Sequence, residues 1–165
     1  MMKRILLTLS AAAMALAAAA QVNITKVDKV QPTDEIFMDM AVTAASQAKA
    51  SGLPASGAVI ILNGAWKATG TPEGGLTPEE NAIQKTHSAR LTGARIYTVN
   101  QPTAAALNAI MRAGIETVYF VNSSADAVAA GIYPVEAYDT ASLDSSLRPV
   151  PAYQLSYPPA AAIIR

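Results

Sequence analysis

Side chains able to do chemistry are scarce in this chain. Its 165 residues include one histidine, His87, and no cysteine. That leaves no disulfides, no thiolate metal sites and no thiol for a lipid anchor. The remaining candidate for proton transfer is Glu79, within Thr77-Pro78-Glu79-Glu80. A carboxylate held near a reacting group can act as a general acid or base. The same four residues also read as a helix start. Threonine at the N-cap, proline at the first helical position and a glutamate at the third make a capping box. A carboxylate in that first turn is favoured by the helix dipole, by about 0.3–1 kcal/mol. Thr77 as N-cap is worth about 1 kcal/mol over alanine, and Thr103, after Pro102, can cap a helix in the same way. Serine, histidine and aspartate are present by type, but no Gly-x-Ser-x-Gly elbow sets up a nucleophile. The loop at 70–76, GTPEGGL, lacks the lysine of a phosphate-binding loop.

The elements that must position these residues centre on 97–120, YTVNQPTAAALNAIMRAGIETVYF. This reads as a strand, a sharp turn at Gln101-Pro102, a short helix, a stop at Gly114 and a second strand. Ala106, Leu107, Ile110 and Met111 give the helix one apolar face. A unit of this size favours a right-handed crossover between parallel strands. The turn before its helix then faces the carboxyl ends of the strands, where α/β proteins usually place a ligand. Upstream, Thr33 or Asp34 can cap a helix running to about Ser51. Its predicted stripe is Ile36, Phe37, Met40, Ala41, Ala44 and Ala48, and Gly52 ends it. Residues 57–62 and 65–69, joined by Asn63-Gly64, carry a strong hairpin signal.

The helix opened by Thr77 is expected to reach about Leu91, with His87 as a boundary residue on it and Gly93 ending it. A further short helix spans 123–130, stopped by Gly131, and 133–138 reads as a late strand or loop. From Asp139 onward the chain has four prolines, Pro149, Pro151, Pro158 and Pro159, and little periodicity, which reads as an extended arm. Trp66 is expected to pack, Met38, Met40 and Met111 to fill the core, and the late tyrosines Tyr133, Tyr138, Tyr153 and Tyr157 to staple the arm to the domain. No internal repeat is visible.

The amino terminus has its own layout. Lys3 and Arg4 precede an apolar run ending in Ala18-Ala19-Ala20, before Gln21. That is the pattern of a secretory signal peptide over 1–20, and it implies export to the periplasm or beyond the cell, with no membrane segment after cleavage. Without Lys3 and Arg4, the twelve basic residues fall to ten against twelve acidic ones. A slightly acidic chain lacks the concentrated positive charge of a nucleic-acid binder. The expected organisation is a leader (1–20), a linker or loosely held edge strand (21–32), one α/β domain (33–139) and a proline- and tyrosine-containing arm (140–165).

The order helix, hairpin, glycine-rich loop, helix, strand, helix, strand, helix resembles the cytidine deaminase-like superfamily, and within it the guanine deaminase and tRNA adenosine deaminase branch. Ser56-Gly57-Ala58-Val59-Ile60 resembles the family's FGAVI strand. Glu79-Glu80-Asn81-Ala82-Ile83 resembles the end of its HAExxAI helix start, and 97–120 resembles YTTxEPCPMCxxAIxxAGIxxVYF. The resemblance spans about 36–138. It implies a three-layer α/β/α fold with a central mixed sheet, and self-association as a homodimer.

In that family one His and two Cys hold zinc, the metal activates a water, and a Glu that is not a ligand moves protons. Here the His position is Thr77, the Cys positions are Thr103 and Ala106, and the Glu position is Glu79. His87, ten residues beyond Thr77, lies too far along the helix to substitute. The base-contacting Asn of the family corresponds to Pro72, and the Phe that packs near the base to Ser56. The resemblance therefore implies a pocket at Ser56, Pro72, Glu79 and Pro102 with no zinc. The expected protein is an exported pseudo-deaminase acting as a binding or structural module for a small ligand or protein partner. The alternatives are a nucleobase or nucleoside deaminase-type hydrolase with an altered site around Glu79, and an envelope protein that meets its partner through 147–159.

Overall fold

The computed structural model describes residues 22–165; the leader expected at 1–20 lies outside the described residues. One six-stranded sheet organises the chain. Its strands are β1 (Asn23–Val27), β2 (Ala58–Leu62), β3 (Ala65–Gly70), β4 (Arg95–Asn100), β5 (Thr117–Asn122) and β6 (Pro151–Leu155), in the spatial order β1-β6-β5-β4-β2-β3. β1, β6, β5 and β4 run parallel, while β2 is antiparallel to both β4 and β3. The helices are α1 (Pro32–Ala50), α2 (Pro78–Lys85), α3 (Ala104–Ala113), α4 (Ser124–Ala129) and α5 (Pro158–Ile163).

Strand alternation builds the two sides of the core. Ala58, Ile60, Ile96, Val118 and Phe120 face one way, into a cluster with Ala82 of α2 and Leu107 and Ile110 of α3. Val59, Ile61, Tyr97, Val99 and Val121 face the other way, against Met38, Ala41 and Ala45 of α1 and Ala160 of α5. The central strands are therefore apolar on both faces, as parallel strands between two helical layers must be. This is the expected three-layer α/β/α arrangement around a mixed sheet.

The strand–helix–strand reading of 97–120 matches the structure. β4 and β5 are parallel neighbours joined by α3, and Gly114 closes that helix at φ 78°. The hairpin is also present, with Asn63 and Gly64 both at positive φ. Tyr97, Tyr119 and Tyr153 occupy one register line across β4, β5 and β6 and stack with centroids 4.7 and 5.4 Å apart.

Several expectations are corrected. The carboxyl-terminal stretch is not an arm: β6 inserts between β5 and β1, and α5 caps the sheet. The prolines misled because they bound these elements without interrupting them. Pro151 is the first strand residue, and Pro158 and Pro159 start a helix, both positions that tolerate proline. Of the two readings of 21–32, linker or edge strand, the structure shows the edge strand, β1. Helix α1 begins at Pro32 behind an N-cap, Gln31, whose side chain makes no capping bond. Asp34 instead accepts the Tyr97 hydroxyl at 2.7 Å. The α1 stripe is rotated from the expected one, with Met38 fully buried and Ile36 59% exposed, because Tyr97 and the sheet, not sequence periodicity, fix the helix's roll. Helix α2 ends at Lys85, so His87 lies beyond it, exposed and at φ 52°. Residues 135–138 form a 3-10 turn. Trp66 is exposed on edge strand β3, its indole N–H bonded to Thr69 at 2.9 Å.

Candidate functional site

The site grows from the first turns of α2 and α3. Gly70 ends β3 against α2 so closely that a Cβ there would lie 1.9 Å from the Pro78 carbonyl oxygen. Only glycine permits that approach. Thr71 N–H donates to Asn81 Oδ1 at 3.1 Å, which ties the loop to the helix. The capping box is complete. Thr77 Oγ1 accepts from Glu80 N–H at 3.3 Å, and Glu80 Oε2 accepts from Thr77 N–H at 2.8 Å. Thr103 caps α3 in the same way, its Oγ1 accepting from Ala106 N–H at 3.2 Å. The two helices pack against one another.

Glu79 is turned inward and is 2% exposed. The Thr98 hydroxyl of β4 donates to its Oε1 at 2.6 Å. Burial raises its pKa above the ordinary carboxylate value, and the hydroxyl bonds from Thr98 and Thr77 oppose that shift only in part. Tyr133, just before the 3-10 turn, and Tyr138, at its end, lie close enough to feel the Glu79 charge. Tyr133 donates to Ser56 Oγ at 3.0 Å and Tyr138 to the Gln101 carbonyl at 3.0 Å. Burial pushes both phenols well above their usual range, and the Glu79 charge adds to this. A separate cavity of about 20 Å³, room for roughly one water, lies beside Pro102 between Tyr138 and Leu107, and Glu79 does not line it.

The structure thus brings Glu79 to Thr98 and Thr77, and Ser56 to Tyr133 and Asn100. No hydrogen bond among the described residues joins Glu79 to Thr103 or Ala106, and the sets meet only through α2–α3 packing. Pro72 sits half-buried in the loop before α2. Sequence reading missed Thr98, Asn100 and Asn122. The signal was available: two apolar strands each end in Val-Asn, and Asn100 and Asn122 lie opposite each other in register. Asn122 Nδ2 donates to Asn100 Oδ1 at 3.1 Å, and Asn100 Nδ2 donates to the Ala55 carbonyl at 3.0 Å.

No protein-family model matches the chain, and no curated protein matches it. Solved structures do. The guanine deaminase of Bacillus subtilis is 28% identical with a TM-score of 0.58, over 74% of this chain and 85% of that one. A structure from work on tRNA:A34 deaminases is 21% identical with a TM-score of 0.63, over 79% and 99%. A third, solved with 2,6-diaminopurine, is 17% identical with a TM-score of 0.64, over 83% and 82%. The fold is that of the cytidine deaminase-like superfamily.

Zinc, the metal this fold family implies, can be tested against the side chains that stand here. A catalytic zinc site takes three imidazole, thiolate or carboxylate donors. Thr77 and Thr103 offer neutral hydroxyls already accepting helix N–H bonds, and Ala106 offers a fully buried methyl. Among the described residues, no three His, Cys, Asp or Glu side chains cluster as a metal could require. The donor set does not fit zinc.

Proposed function

We propose that this chain is an exported protein of the deaminase fold that works without catalytic zinc, as a binding or structural module. The observation that carries the reading is the fate of the three ligand positions: two hydroxyls serve as helix caps and one position is a buried methyl. The burial of Glu79 supports it. Export is supported by the basic-then-apolar leader, and amino-terminal sequencing of the protein recovered outside the cytoplasm should begin at Gln21. Metal analysis of the purified mature protein should find no stoichiometric zinc. One tightly held zinc per chain would refute the reading.

A second reading has one observation in its favour. Glu79 keeps the position of the family's proton shuttle, with its pKa raised by burial, which is how catalytic carboxylates are tuned. Under it, the chain is a deaminase-type hydrolase acting on a nucleobase, of which the purine in the solved relative is an example. Ammonia release from guanine, adenine or cytosine that requires added metal and disappears in Glu79→Gln would establish it.

A further inference from the structure

A second site lies at the other end of the sheet's carboxyl edge. The strands β1, β6 and β5 are parallel, and their carboxyl ends open onto a cleft of about 420 Å³, adjoined by a lobe of about 310 Å³ between α4 and α5. This is within the size range of small-molecule sites and at the strand ends where α/β sheets bind ligands. It does not include Thr77, Glu79, Thr103 or Ala106.

The cleft floor is a built polar surface. Asn122 is 3% exposed and lines both lobes. Its Nδ2 donates to Asn100 Oδ1 at 3.1 Å and to the Ala160 carbonyl at 3.0 Å. A carbonyl cannot donate, so the nitrogen must face Ala160 and the amide cannot be reversed. Its Oδ1 accepts nothing from any described residue, yet it is not sealed from the cleft. It is therefore a fixed, unpartnered acceptor. Gln154 repeats the pattern: its Nε2 donates to the Val121 carbonyl at 3.0 Å, leaving Oε1 free. Asp126 uses Oδ2 for its capping box and leaves Oδ1 free.

Three free acceptors lining one cleft call for a donor-rich, positively charged group. Lys26, in register beside Gln154 on the neighbouring strand, and Arg165 line the same cleft, neither in an ion pair among the described residues. Asp28 is the remaining charged residue at the rim. Val27, Leu155 and Ala161 supply apolar lining to the same cleft.

We propose that this cleft binds a small zwitterion of the α-amino-acid class carrying an apolar side chain. Asn122 Oδ1, Gln154 Oε1 and Asp126 receive the ammonium group, and Lys26 and Arg165 receive the carboxylate. The proposal is independent of the zinc-free reading: a protein that held zinc would keep this cleft.

Calorimetry and amide NMR on the mature protein test it, with L-leucine as first probe and L-valine and L-methionine beside it. L-leucine should bind saturably and shift the side-chain amide signals of Asn122 and Gln154. 4-Methylpentanoate, which lacks the ammonium, and L-leucinamide, which lacks the carboxylate, should each bind about tenfold or more weakly, as loss of a charged hydrogen bond implies. Arg165→Gln should weaken L-leucine by about tenfold and leave L-leucinamide unchanged, a split that a structural role for Arg165 would not produce. Ala161→Phe, on the wall of the cleft, should abolish binding while the fold, read by circular dichroism, persists. The proposal is overturned if none of the three amino acids saturates by about 10 mM, where even a millimolar site would be filled. It is equally overturned if 4-methylpentanoate binds as well as L-leucine, or if the shifts fall around Glu79 instead.

Discussion

The two ends of the sheet's carboxyl edge have been finished differently. Glu79 is buried with the Thr98 hydroxyl on its Oε1, and the hydroxyls of Tyr133 and Tyr138 are bonded to Ser56 and to the Gln101 carbonyl. Around Asn122 one amide oxygen is held in place and left unanswered. The two places are physically joined. A line of hydrogen bonds runs from Tyr133 through Ser56, Asn100 and Asn122 to the Ala160 carbonyl. A fully satisfied polar cluster stabilises a fold and offers nothing to a ligand. A nearly satisfied one gives up a little stability and offers a directional contact.

The largest effect on this contrast should come from Gly70→Ala. It would push β3 away from α2 and unseat Glu79, at a cost of about 3 kcal/mol or more in urea unfolding. Next, Asn122→Leu leaves Asn100 Oδ1 and the Ala160 carbonyl without their donor, and should cost about 2–3 kcal/mol; it would break the line at the point where the two regions meet. A third test is pH. The folded pKa of Glu79 lies above the 4.5 of an unhindered glutamate, so the stabilisation from keeping it protonated is complete below pH 4.5 and fades as pH rises through the folded value. Glu79→Gln should therefore be the more stable protein at pH 8, by about 1–2 kcal/mol, and close to the wild type at pH 4. Equal stability at both pH values would mean that Glu79 is not held in a desolvated site. Thr103→Ala should cost about 1 kcal/mol through loss of the cap, with a parallel loss for Thr77→Ala. The smallest effect, within about 0.5 kcal/mol, is expected for Trp66→Ser on the exposed edge strand.

The parts of the fold legible in the sequence were those with local causes. The Asn63-Gly64 turn, the Thr77 capping box, the Gly114 stop and the apolar face of α3 each follow from residues within a few positions of one another, so they could be read directly. The roll of α1 could not, because Met38 and Ile36 are told apart by a sheet formed from distant segments. β6 could not either. Its five residues between proline-rich flanks have little pattern of their own, and their strand identity comes from partners in β5 and β1. The Glu79 site was half legible: the Thr77 and Thr103 caps could be named, but the Thr98 hydroxyl on Glu79 and the Ser56 bonds to Tyr133 and Asn100 could not.

By itself, the sequence determined which donors exist and which do not. One histidine and no cysteine are facts of composition that no folding can alter. Tertiary structure alone decided which polar atoms are left over. Asn100 and Asn122 are ordinary amides in the chain. Pairing β4 with β5 and laying α5 across their ends takes both amide protons of Asn122 and leaves its oxygen facing the cleft. That outcome depends on three segments meeting in space.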